Sequence, residues 1–266
     1  MEHEGWAMRR ATNRPTTIRS TTIPDRSPRS RRRLVGAAAI VALALAGSLS
    51  ACEPPTPKHP VLIVGGTFGP VRYLDGLKEH LQARGFAVRT MQLSGNPPGT
   101  ADITTSAAEV CAQIESLRRS TGATKVDVVG HSQGILAVRY CTGFGSGAAK
   151  VALVVSYGGI NYGSSRATLC ASTACIQMRP GSTFLTNLNA GDDTPGPIEY
   201  VHLYSREANG GTPGEDIPLA DGATNVAAQQ LCPGREVVHL RQADDPIMRQ
   251  MLVHALFRQP ITSTCP

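Results

Sequence analysis

Lys125-Val126-Asp127-Val128-Val129-Gly130-His131-Ser132-Gln133-Gly134-Ile135-Leu136-Ala137-Val138-Arg139-Tyr140 is the stretch on which the fold turns. Its first half is a β-branched run, which reads as a buried strand, and its second half has helical spacing. Between them lies Gly-x-Ser-x-Gly, the sharp strand-to-helix turn that lifts a serine hydroxyl clear of the backbone. A tight turn leaves no room for neighbouring Cβ atoms, and glycine stands on both flanks, at 130 and 134. This context predicts Ser132 as a nucleophile at the positive end of a helix.

The same alternation extends outward in both directions. Upstream, Val61–Val64 is a short apolar run ending in Gly65-Gly66 and reads as a buried strand. Residues 73–84 place Leu74, Leu77 and Leu81 on one helical face, residues 87–93 form a strand, and residues 107–119 form a helix. Downstream, 151–157, 198–204 and 225–231 read as strands, with a closing helix over 246–257. Strands alternating with helices predict an α/β fold with a mostly parallel sheet covered on both faces. Residues 161–197 fit neither period. They are rich in Gly, Ser, Thr and Asn and predict loops and short helices, a cap over the carboxyl edge of the sheet.

Acyl transfer needs donors for the developing oxyanion. The backbone N–H of Gln133, which follows the nucleophile, is one candidate. Thr67, in the first strand's loop, is the other. The base is expected late in the chain. Of seven histidines, His3 and His59 precede the domain, His80 lies on an early helix and His131 flanks the nucleophile. His202 is inside a strand and His254 on the last helix, positions suited to packing. His239 lies between the last strand and that helix and is the predicted base.

Charge separates the chain into parts. Of 266 residues, the first 33 hold nine Arg against three acids, whereas the remainder holds 17 basic and 17 acidic residues. The net charge of +6 therefore belongs to a leader, and a nucleic-acid-binding reading loses its support. Residues 1–29 have the composition of a disordered segment. Arg31-Arg32-Arg33 then precede the uncharged run 34–51, the layout of a signal peptide, and resemble a twin-arginine export signal. Leu49-Ser50-Ala51-Cys52 resembles a bacterial lipobox, with Cys52 as the acylated residue. The expected organisation is a leader and signal peptide (1–51), a lipidated Cys and Pro-rich tether (52–60), and one catalytic domain (61–266). Expected partners are an ester or lipid substrate and, through the anchor, a membrane; the domain is expected to be a monomer.

Six cysteines remain, an even number in an exported chain. Cys170 and Cys175 are close enough for a local bridge, Cys232 and Cys265 would pin the tail beneath the catalytic loop, and Cys111 and Cys141 are left to pair. With no C-x-x-C and no His pair at helical spacing, no metal is expected.

Together these residues resemble a family. Val64-Gly65-Gly66-Thr67-Phe68-Gly69, the 125–134 string, the segments 177–189 and 191–196, then 221–226, 232–235 and the downstream His239 resemble the actinobacterial class 2 lipases. The resemblance implies the α/β-hydrolase fold, lipase or esterase activity on carboxylic (acylglycerol) esters, no cofactor, and the roles given above for Ser132, His239, Thr67 and Gln133. Three positions depart from the family pattern. Gly65 stands where His precedes Gly, Ile135 where a second Gly follows, and Ala208 where the triad Asp belongs. Glu207, the only carboxylate within four residues of Tyr204, is the expected substitute. The alternative acid is Asp216, or its neighbour Glu215, returning from a Gly/Pro-rich loop. Acyl transfer to an alcohol, and lipid binding without turnover, are the competing functions; the second draws on Ala208.

Overall fold

The computed structural model describes residues 56–265. The leader, the signal peptide with its twin-arginine pattern, and Cys52 lie outside the described residues. Six strands form one sheet: β1 (Val61–Val64), β2 (Val88–Met91), β3 (Val126–His131), β4 (Val151–Tyr157), β5 (Glu199–Tyr204) and β6 (Thr224–Ala227). They run in the order β2-β1-β3-β4-β5-β6, every neighbouring pair parallel.

Side-chain alternation divides the core in two. Leu62, Val64, Val126, Val128 and Val154 face one layer, and Val61, Ile63, Leu153 and Val155 face the other. The helices are α1 (Asp75–Gln82), α2 (Ile103–Thr121), α3 (Gly134–Gly143), α4 (Thr173–Gln177), α5 (Thr183–Leu188), α6 (Ala228–Leu231) and α7 (Pro246–Phe257). Helices α2 and α3 cover the first face and α1 and α7 the second. A sheet buried on both sides explains why its strands read as continuous apolar runs.

Local chemistry sets the boundaries. Helix α2 starts four residues before the predicted 107, because the Asp102 side chain accepts from the Thr104 N–H at 2.7 Å. It ends at Gly122, whose φ of 69° suits a left-handed cap. Helix α7 combines an Asp245 cap with Pro246 in its first turn. The expected strand over 225–231 is corrected: only its start pairs with β5, and from Ala228 the chain turns helical. Ala-Gln-Gln-Leu favours a helix once the sheet edge is passed. The span 161–197 holds two short helices, α4 and α5, and a 3-10 turn over Ser165–Leu169, as expected of a cap.

The three cysteine pairs 111–141, 170–175 and 232–265 are bonded, with Cα–Cα separations of 5.6, 5.8 and 5.5 Å. The tail is also held by Arg258. Its guanidinium grips the fully buried Asp127 of β3 through both carboxylate oxygens, at 2.6 and 2.7 Å.

Candidate active site

Ser132 has φ 54°, a left-handed conformation that non-glycine residues adopt at a cost. The turn persists because its surroundings fix it. A Cβ at Gly130 would approach the Cα of Ile135 to 2.6 Å, and one at Gly134 would come within 2.7 Å of the Val64 carbonyl oxygen. A Cβ at Gly66 would stand 2.8 Å from that of Ser132. The glycines are thus required by close approach of β1, its loop and α3. On this elbow the Ser132 hydroxyl donates to His239 Nε2 at 3.0 Å.

His239 begins a 3-10 turn before α7. Its other ring nitrogen, Nδ1, is 2.8 Å from a carboxylate oxygen, and the carboxylate is that of Glu215. The expectation of Glu207 is corrected here. Glu207 opens an exposed 3-10 turn after β5 and makes no contact with His239. Asp216, the alternative, is partly exposed and is likewise absent from the imidazole.

Three groups besides His239 hold the Glu215 side chain, and a fourth holds its backbone. The Ser205 N–H donates to Oε1 at 2.9 Å and the Thr212 N–H to Oε2 at 3.0 Å. The Gln242 amide also donates to Oε1, and the His202 ring holds the backbone, its Nε2–H donating to the Glu215 carbonyl at 2.8 Å. His202 Nδ1 in turn accepts from Ser156 at 2.8 Å, and Ser156 accepts from Asn161 at 3.0 Å. Burial alone would raise the Glu215 pKa; hydrogen bonds from His239, the charge it carries when protonated, and the two backbone N–H groups outweigh that and lower it. A carboxylate that stays ionised is what a protonating imidazole needs beside it.

The loop carrying Glu215 is shaped by glycine. Gly214 has φ 87°, and a Cβ there would overlap the Gly163 carbonyl oxygen. Sequence reading named Glu215 as an outside candidate but gave no reason to prefer it. The usable signal is the pair of glycines at 211 and 214, where a Cβ would meet the carbonyl oxygens of Ser205 and Gly163, so that only glycine lets the segment fold back under β5.

Thr67 and Gln133 meet beside Ser132: the Thr67 hydroxyl donates to the Gln133 side-chain oxygen at 2.6 Å. Among the described residues, neither backbone N–H donates to a protein acceptor. His131 stacks on His239 with centroids 5.2 Å apart and planes 23° from parallel. Burial and the neighbouring His239 push its pKa down to about 3, so the ring is neutral. Next to Ser132 opens a cavity of about 190 Å³, walled by Phe68, Ile160, Ala167, Met178 and Leu240 with Arg166 as its one arginine.

Three carboxylates, Asp192 and Asp193 at the end of the cap and Asp221 in the β5–β6 connection, also come together. Asp193 there accepts from Tyr162 and from the N–H groups of Ala220 and Asp221, beside the buried Arg139 guanidinium, which donates to its carbonyl at 3.0 Å. These donors give it a structural role as a clamp between the cap and the β5–β6 connection.

Comparison with known proteins gives a consistent picture. The chain is 34% identical over 115 residues to a triacylglycerol lipase of Pseudomonas fragi, covering 41% of this chain and 37% of that one. It is 33% identical over 117 residues to a triacylglycerol lipase of Vibrio cholerae, covering 42% of this chain and 36% of the relative. The chain thus spans little more than a third of the length of the curated relatives it matches. Among solved structures, Aspergillus fumigatus lipase B superposes with a TM-score of 0.65 at 17% identity, over 79% of this chain and 55% of that one. The mature form of a Bacillus licheniformis lipase does so with 0.58 at 17% identity, over 77% and 92%. These likenesses identify the fold as that of the α/β-hydrolases. The family profile described as lipase (class 2) matches residues 58–209, more than half of the chain, and the chain belongs to the class 2 lipase family.

Proposed function

We propose that this protein is a serine ester hydrolase, a lipase or esterase that works through an acyl-enzyme. The observation that carries the reading is the continuous line Ser132–His239–Glu215, with contacts of 3.0 and 2.8 Å. In this reading Ser132 Oγ attacks the ester carbonyl carbon as its proton passes to His239 Nε2. Glu215 fixes the tautomer and balances the imidazolium. The carbonyl oxygen, now negative, takes hydrogen bonds from the N–H groups of Thr67 and Gln133. Collapse expels the alcohol, protonated by His239, and a water activated by the same imidazole releases the acid. The apolar walls of the cavity suit an acyl chain, which points to carboxylic esters with a fatty acyl group, acylglycerols among them.

Export of the chain belongs to the same reading. It is supported by the signal-like run 34–51 and by three disulfides, bonds that persist in oxidising compartments. Retention through a lipid on Cys52, and relationship to the actinobacterial members of the family, rest on the sequence patterns alone.

The test is labelling with a fluorophosphonate, which phosphonylates an activated serine. Wild-type protein is expected to label and to hydrolyse p-nitrophenyl butyrate, and Ser132→Ala to do neither. Equal labelling of the two proteins would overturn the reading.

A further inference from the structure

Arg166 lines the cavity beside Ser132 and is exposed. Most other arginines of the domain are engaged. Arg118, Arg235 and Arg258 pair with carboxylates, and Arg139 and Arg179 donate to backbone oxygens. Among the described residues the Arg166 guanidinium has no such partner, although its backbone N–H donates to the Ser164 hydroxyl at 3.3 Å. No carboxylate lines the cavity. The acid of the site, Glu215, is fully buried behind His239 with both oxygens taken. A guanidinium without an anion, on the wall of a cavity, is a charge open to a ligand.

This guanidinium is carried on a braced turn. Ser164 caps the 3-10 turn over Ser165–Leu169, and Arg179 donates to the Ala167 and Cys170 carbonyls at 3.5 and 3.0 Å. The Cys170–Cys175 bond ties the turn to α4. Burial grades the cavity from depth to rim. Ile160, Ala167 and Met178 are buried, whereas Phe68 and Leu240 are 51% and 80% exposed, and Arg166 is exposed with them.

The two halves of an ester are sorted by that gradient. An acyl chain belongs against the buried apolar wall. The alcohol oxygen must face His239, which protonates it as it leaves, and His239 and Leu240 are consecutive on one turn. The alcohol part therefore extends along the rim. Of the residues lining the cavity, Arg166 alone carries a permanent charge.

We propose that Arg166 sets the substrate class: the site prefers fatty acyl esters whose alcohol bears an anionic oxygen group, a phosphate or a carboxylate. The planar guanidinium meets two oxygens of either group through paired N–H donors. This inference deepens the ester-hydrolase reading above and rests on it. In turnover the bond from Ser132 Oγ to the acyl carbon forms, the ester C–O bond breaks, and the anionic alcohol leaves with the proton from His239. Water then releases the acid and restores the serine hydroxyl. The anionic group itself does not react. It is held alike before and in the transition state, so the contact lowers KM and leaves kcat little changed.

The experiment compares the butanoyl monoesters of glycerol, glycerol phosphate, glycerate and choline, at low and at high salt. Wild-type protein is expected to favour the phosphate or the glycerate ester over the neutral glycerol ester by about tenfold in kcat/KM, through KM, with the choline ester last. High salt is expected to shrink the preference. The phosphate and glycerate arms tell which anion fits. Arg166→Gln is expected to bring the anionic-to-neutral ratio to about one, Arg166→Lys to retain part of it, and Arg166→Glu to invert the order so that the choline ester leads. Each ratio is taken within one protein, so a smaller folded fraction lowers all four rates together and leaves the ratio readable. Fluorophosphonate labelling counts the active sites. A wild type with no preference for either anion, or a preference that survives Arg166→Gln, would overturn the proposal and leave the hydrolase reading intact. A wild type that neither labels nor cleaves any of the four esters would overturn that reading instead.

Discussion

The elbow at 130–134 and the acid loop at 205–216 deliver two members of the proposed triad by opposite means. The elbow is a local device. A strand, five residues and a helix set the backbone of Ser132, hemmed in by β1 and its loop and held by the Tyr157 carbonyl of β4, which accepts the Ser132 N–H at 3.3 Å. The acid loop is a long-range assembly. Glu215 is held by Ser205 at the end of β5, by Thr212 in its own loop, by His202 within β5, and by His239 and Gln242 from beyond α6. One part of the proposed site can therefore be written into five consecutive residues while another is distributed over three segments, β5 with its end, the 212–215 loop and the turn at 239–242.

The largest test of this contrast exchanges the two carboxylates that the sequence offers. Glu215→Gln keeps the volume but removes the charge beside His239, and turnover should fall on the order of 10⁴-fold. Glu207→Gln alters an exposed side chain and should leave kcat/KM within about twofold of wild type. Stopped assays on p-nitrophenyl butyrate measure both. The reverse ranking would return the acid to the turn after β5.

That ranking also shows what can be read in the sequence and what cannot. The alternation of strands and helices, the elbow and the late histidine are short-range patterns, and Ser132 and His239 follow from them. Proximity to Tyr204 favours Glu207 in the sequence, since a longer loop costs more entropy to close. That cost grows only as the logarithm of length, about 0.6 kcal/mol per doubling, too little to decide between Glu207 and Glu215. Contacts decided it, and those contacts involve residues some ten to thirty positions away. The edge of β6 was misread for a related reason: Asn225–Leu231 is apolar enough for either state, and only the end of the sheet stops the strand at Ala227.

A smaller effect separates the two regions by their glycines. Gly214→Ala forces a Cβ against the Gly163 carbonyl and strains a φ of 87°, displacing Glu215 from His239. A misplacement of about 1 Å should cost on the order of 10²-fold in kcat with little change in Tm, since the loop contributes little to either core. Gly134→Ala instead pushes α3 away from the carbonyl of Val64 and should destabilise the domain by about 1–3 kcal/mol, visible in chemical denaturation. A Gly214→Ala protein that melts early but works normally would make the acid loop part of the core and erase the distinction.

The smallest effect concerns protons. Hydrogen bonds from His239, Ser205 and Thr212 overcome burial and lower the Glu215 pKa below its ordinary value. A carboxyl whose pKa is depressed on folding adds stability that is fully present above its unfolded value, about 4.3, and lost as pH falls through the folded one. Wild-type protein should therefore melt above Glu215→Gln at pH 7, and the gap should close as the pH is taken toward 3. Buried His131 and His202, whose pKa values are lowered, must also protonate on acid unfolding, but they are common to both proteins and cancel in the difference. The gap between wild type and Gly134→Ala involves no proton and should stay constant over the same range. Differential scanning fluorimetry at half-unit steps resolves the two slopes. A constant gap for Glu215→Gln would mean that the acid is held by shape alone, as the elbow is, with no contribution from its charge.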